Sequence, residues 1–305
     1  MDRNTGIKVY LAAVLGAVTT GFSFLGAKTA LSYGTPLESL FFRFAAGFLF
    51  AAVLVGTKTV KTDFRGKKLG PLLIPALLYS GGFFGFQFFG LMYASSVEAG
   101  IIMAVQPAVT MIMAELTIKE KPNAAQRICV VVAILAAAFI SAYGSGNVEA
   151  DIRGIILISL SALSMAGNVV YIRWIRNDYN PAEISFVSCA LGFAIYTAVI
   201  LVQGTVNGTL GETFGLMKNP GFLIAILYLG AACTMLTTLI NSYMMKYLEA
   251  VRVSVFGCAG TIITLTAGHF ILGEELGAAR IICSAVILAA VIGTNYFGEK
   301  KNEQT

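Results

Sequence analysis

The sequence predicts an all-α integral membrane protein: ten transmembrane helices, built as two inverted five-helix repeats. Three observations carry that expectation. Charged residues make up 12% of the 305 and hydrophobic residues 57%, with a mean hydropathy of +0.80. A soluble domain carries about 25% charged residues, so lipid rather than water must meet most of this surface. The apolar residues gather in ten runs of membrane-spanning length, about 20 residues each. The second half of the chain also repeats the pattern of the first.

The first run, 8–31, follows Arg3 and Lys8 and superficially fits a secretory leader. It is longer than a leader's apolar core and further spans follow, so it reads as a retained helix. The second run, 36–57, starts after Gly34-Thr35-Pro36 and ends at a basic loop; the third is 70–93. The fourth, 97–117, and the fifth, 124–144, are separated by Lys121-Pro122-Asn123. Gly144-Ser145-Gly146-Asn147 ends the fifth, and the sixth is 153–174. The seventh, 182–203, and the eighth, 220–243, each follow an Asn-Pro pair, at Asn180 and Asn219. The ninth and tenth are 250–272 and 279–297. These breaks hold the residues that stop helices and turn chains.

Basic residues set the orientation. Sixteen of the twenty-one Lys and Arg fall on one side of the spans and four on the other, with Arg43 inside the second span. The basic side is expected to be cytoplasmic. That puts both termini and the loop 58–69 in the cytoplasm, with 145–152 and 204–219 outside. The net charge of +5 is scattered over short loops, so no nucleic-acid partner is expected. All five cysteines lie in apolar runs without a CxxC pair, and His269 is the sole histidine. No metal or cofactor is expected.

The repeat is visible without gaps. Tyr93 to Glu120 aligns with Tyr247 to Glu274 at an offset of 154, and spans one and two align with six and seven at an offset of 145. In the second alignment Pro36 meets Pro181, Glu38 meets Glu183 and Gly47 meets Gly192. The units are 1–147 and 148–305. Five helices is an odd number, so the second unit enters the membrane from the opposite side. Inverted repeats suit alternating access around a midplane site.

This five-plus-five pattern resembles the drug/metabolite transporter superfamily, in its EamA-type branch, over essentially the whole chain. Arg43-Phe44, the stretch ending in Gln106-Pro107, and the Leu-Gly-Glu-Glu-Leu of 272–276 carry the resemblance. Thr261 departs from it, standing where the first half has Pro107. The resemblance implies transport, often efflux, of small metabolites or amino acids, with no cofactor. It also helps divide the helices: 1, 3, 4, 6, 8 and 9 around the site, 5 and 10 as scaffold. A lipid bilayer, a small-molecule substrate and a second copy of the chain are the expected partners.

Polar groups within spans are the candidates, because a charge at the bilayer centre costs about 2.5 kcal/mol or more. Arg43 either meets a substrate carboxylate or ties helices together through Glu38, Glu98 or helix-end carbonyls. Gln87 sits among phenylalanines and glycines, as the amide of an aromatic cavity wall or as packing. Gln106-Pro107 either forms a midplane polar site with the carbonyl that proline frees on Met103, or marks a static kink. Asn168, Tyr171, Thr238 and Asn241, with Thr234, Thr237 and Tyr243 beside them, either bind substrate or hydrogen-bond between helices. Glu115 and His269 are the candidates for proton coupling, against a surface pair of Glu115 with Lys119 and an interfacial histidine. Lys28 is expected to snorkel outward. An intramembrane enzyme or a channel-like facilitator is the alternative. The first needs clustered reactive groups and the second a filter or charged ring; neither pattern is present.

Overall fold

A computed structural model describes residues 3–90, 92–93, 102–103, 105–143, 151–208, 210–257, 259–260, 263 and 278–302. Among these, regular structure is entirely helical. The long elements are α1 (Arg3–Leu31), α2 (Pro36–Gly56), α3 (Gly70–Gly90), α4 (Gln106–Thr117) and α5 (Ala124–Tyr143). They continue with α6 (Ile152–Ile175), α7 (Pro181–Asn207), α8 (Pro220–Tyr247), α9 (250–257) and α10 (Ala278–Asn302). Six of the described helices are long and apolar enough to cross a membrane.

Local chemistry fixes the helix starts. Thr35 and Asn180 each close a capping box, on Glu38 and Glu183, with a proline in the first turn. Each box satisfies helix-end N–H groups that lipid could not. These two caps fall on the pair of positions that the repeat aligns. The expected ends shift modestly: α7 runs to Asn207, and α8 runs to Tyr247 with Met244 and Met245 buried in its last turn. The loop after α7 holds a short helix, Leu210–Gly215, that sequence pattern did not reveal. Pro107 does not kink a continuous helix. It sits in the first turn of α4, after a turn at Val105, where its missing N–H costs little.

The packing repeats when the halves are exchanged. α1 lies on α8 as α6 lies on α3; α2 lies on α8 as α7 lies on α3; α2 pairs with α7 and α5 with α10. α3 and α8 each contain a π-helical stretch, Leu78–Gly85 and Tyr228–Leu236, starting eight residues into the helix in both cases. Two apolar cores flank the middle. One holds Val9, Leu72, Ile172, Ile184 and Met244; the other holds Leu40, Phe42, Phe84, Tyr196 and Phe222. A third, with Met111, Val130, Val255 and Ile287, joins α4, α5, α9 and α10.

Polar ties gather at one end, the end of the basic loop. Buried Glu183 accepts from Lys67 Nζ at 2.7 and 2.9 Å and from the Asp63 backbone N–H at 3.0 Å. Arg252 donates to Asn295 and Tyr10, and Gln126 donates to Glu249. At the other end Glu38, the repeat counterpart of Glu183, accepts from Thr213 at 2.8 Å. Each glutamate thus holds the loop that precedes the opposite half's π-bearing helix: Glu183 the α2–α3 loop, Glu38 the α7–α8 loop.

Candidate functional site

Two helices cross closely at the middle. A Cβ on Gly230 of α8 would stand 2.6 Å from the Arg43 carbonyl and 2.8 Å from the Gly47 nitrogen of α2. The crossing brings Arg43 onto the π stretch of α8. A π turn bonds i to i+5 and leaves carbonyls to be satisfied where the ladder changes register. Thr234 does this: its hydroxyl donates to the Leu229 carbonyl at 2.8 Å. The same oxygen accepts from Arg43 Nε at 2.7 Å, while Nη2 donates to the Cys233 carbonyl at 3.4 Å.

Arg43 is buried, with 7% of its surface exposed. Its guanidinium carbon lies 4.2 Å from the centre of the Phe84 ring. The phenols of Tyr79 and Tyr196 and the thiols of Cys189 and Cys233 lie within electrostatic reach of the charge. Among the described residues no carboxylate pairs with it. Glu38 is committed to Thr35 and Thr213, and Glu98 lies outside the described residues. A buried cation whose neighbours are hydroxyls, a carbonyl and an aromatic face is stabilised but not neutralised. An anion entering this space would complete it.

The phenol of Tyr79 also faces the hydroxyls of Thr237 and Thr238. Arg43 and Thr238 therefore meet around one tyrosine, with α2, α3, α7 and α8 each contributing. Asn168 reaches α3 from α6: its amide donates to the Pro75 carbonyl at 2.7 Å. Thr238 also donates back to the Thr234 carbonyl at 2.5 Å. Tyr196 and Ser161 hold the π stretch of α3, donating to the carbonyls of Ser80 and Phe83 at 2.8 Å each.

The other candidates stand apart. Gln106 bonds within its own helix, to Thr110 at 3.1 Å. Tyr171 packs edge-on against exposed Trp174. Gln87 and Asn241 are half-buried and have no hydrogen-bond partner among the described residues. Glu115 pairs with Arg127, not with Lys119, through two contacts of 2.8 and 2.9 Å. Both partners belong to neighbouring helices and are 36% and 49% exposed. His269, Thr261 and the Lys28 side chain lie outside the described residues.

Sequence reading missed Tyr79 and Tyr196. One signal was available. Both tyrosines sit deep inside apolar runs, away from the interfacial belts where membrane tyrosines concentrate. It also missed the pairing of Glu120 with Arg173, at 2.7 Å, because nothing in the sequence joins the ends of α4 and α6. No group of histidines, cysteines and carboxylates fit to hold a metal occurs among the described residues.

Comparison with known proteins places this architecture. The EamA-like transporter family matches residues 7–142 and 152–296. The chain is similar to the Bacillus subtilis (strain 168) protein named "Uncharacterized transporter YcxC", 36% identical over 305 residues, covering 100% of this chain and 98% of that protein. An "Uncharacterized transporter" of Archaeoglobus fulgidus is 23% identical, covering 93% of this chain and 98% of its own. A solved crystal structure shares the fold, with a TM-score of 0.79 at 12% identity over 96% of this chain and 98% of the other. The chain belongs to the EamA-like transporter family, and it is a multi-pass membrane transporter.

Proposed function

We infer that this transporter moves small organic metabolites bearing a carboxylate, such as amino acids or related acids, across the cytoplasmic membrane by alternating access, in the direction of export. The observation that carries the reading is Arg43: a buried guanidinium, with no acid beside it among the described residues, at the crossing of the two halves. Retaining such a charge at membrane depth is costly, and a substrate carboxylate repays it with a charge-assisted hydrogen bond. Tyr79, Thr238 and Asn168 line the approach. Gln87, Gln106, Tyr171 and Asn241 are offered as outer contacts. The surroundings of Arg43 are mostly apolar with few polar groups, the usual character of small-molecule sites.

Alternating access is supported by the exchange of contacts between halves and by the matched π stretches in α3 and α8. We take the halves as 1–147 and 148–305, ten helices in all, with α5 and α10 as scaffold. Glu115 makes a poor coupling site, because its pair with Arg127 is exposed and lies within one half.

Counterflow in proteoliposomes tests the reading. Amino and organic acids should exchange, and their amide or ester analogues should exchange at least tenfold more slowly. Alanine at Tyr79, Asn168 or Thr238 should alter selectivity with normal expression. Preference for neutral analogues would sink the carboxylate assignment.

The topology has its own test. We place both termini and the basic loop in the cytoplasm, on the sixteen-to-four distribution of Lys and Arg. A cysteine at position 63 should resist an impermeant thiol reagent in intact cells and react once the membrane is opened. Labelling in intact cells would reverse the orientation.

A further inference from the structure

At the basic end, one ion pair ties together four helix ends drawn from both halves. Arg173, at the end of α6, donates from Nε to Glu120 Oε1 at 2.7 Å and from Nη1 to the Met245 carbonyl at 2.6 Å. Glu120, just past α4, uses its other oxygen to accept from the Ala250 backbone N–H, at the start of α9, at 2.9 Å. The Arg173 and Glu120 side chains are only 11% and 16% exposed. The pair therefore joins α4 of the first half to α6, α8 and α9 of the second.

The geometry sets this pair apart from the other two ion pairs among the described residues. Lys67–Glu183 fastens a loop to a helix start, and Arg127–Glu115 bridges neighbouring helices of one half. Only Arg173–Glu120 couples the ends of helices that flank the middle site. Both of its members make a second, backbone contact, Arg173 to the end of α8 and Glu120 to the start of α9. Backbone carbonyls and N–H groups at helix ends carry partial charges that favour a cation on Met245 O and an anion on Ala250 N–H. Each contact therefore reinforces the other.

We propose that Glu120 and Arg173 form the cytoplasmic gate of the transporter, closed in this structure and opened once per cycle. The proposal rests on the alternating-access reading above. It assigns the pair no contact with substrate. Its effect is on which side of the membrane the middle site meets. Weakening the pair shifts the population toward the state open to the cytoplasm.

Accessibility from the two sides tests this without knowledge of the substrate. The native cysteines are replaced, and a single cysteine is placed at Thr238, which faces Tyr79 between the halves. A second probe is placed at Asn241. A charged methanethiosulfonate reagent is applied to inside-out and to right-side-out vesicles. Glu120→Gln, which keeps an acceptor for Ala250 N–H, and Arg173→Gln should each raise labelling from the cytoplasmic side about tenfold and lower it from the outside. The conservative variants Glu120→Asp and Arg173→Lys, which keep the charges that the Ala250 N–H and the Met245 carbonyl favour, should hold both rates close to wild type. Unchanged cytoplasmic labelling in both glutamine variants overturns the gate. A cytoplasmic rise without an external fall shows a barrier in a channel-like path and overturns the alternating-access reading on which the gate depends.

Discussion

Replacing Arg43 with alanine should weaken transport of a carboxylate substrate by about ten- to a hundredfold, the effect of losing a charged hydrogen-bond partner worth roughly 1.5–3 kcal/mol. A neutral analogue should lose far less. The contrast between the two substrates is the measurement, because any structural damage would act on both. Such damage is expected to be limited: Thr234 keeps its bond to the Leu229 carbonyl when Arg43 is gone, so the π stretch of α8 retains its internal cap. Arg43→Lys should recover only part of the loss. Lysine keeps the charge but cannot place one donor on Thr234 and another on the Cys233 carbonyl in a fixed plane. It also loses the guanidinium carbon that lies 4.2 Å from the centre of the Phe84 ring. Equal losses for acid and neutral substrates would mean that Arg43 serves only to join α2 to α8.

Gly230→Ala is expected to be the most damaging single-methyl change in the bundle. The added carbon would meet the Ala46 Cβ at 2.5 Å, the Arg43 carbonyl at 2.6 Å and the Gly47 nitrogen at 2.8 Å. All three are main chain or Cβ, so no side chain can swing aside. α2 and α8 must separate, and small residues at such crossings are what lets membrane helices approach. Overpacking of this kind costs about 1–3 kcal/mol. Thermal unfolding of the purified protein in detergent should show the loss. The separation also pulls Thr234 from Arg43, so residual transport should lose its preference for carboxylates. Wild-type melting temperature and selectivity would show that the crossing is looser than these distances state.

Composition and pattern along the chain were enough to identify lipid as its solvent and to locate most of the described spans. A chain with so few charges must meet lipid, and lipid forces every backbone group to bond within its own helix. Apolar runs and helix-stopping residues were therefore enough to place α1, α2, α6, α7 and α8. The aligned Glu38 and Glu183 could be paired on paper because each cap is a local motif, complete within four residues. Arg43 and Thr238 could be singled out because a polar group inside a span is conspicuous against its neighbours.

The tertiary structure alone decided what those groups touch. Arg43 bonds Thr234, 191 positions away, and no periodicity encodes a contact between helices of different halves. The π stretches in α3 and α8 were not legible either. They follow from where carbonyls find hydroxyls on neighbouring helices, such as Tyr196 on Ser80 and Ser161 on Phe83. Glu115 was chosen as the notable acid because it lies deepest in its run. Glu120 is the acid that reaches across, because its partners Arg173 and Ala250 belong to the other half. Local composition records how far a charge lies from water; only the packed bundle fixes which opposite charge it meets.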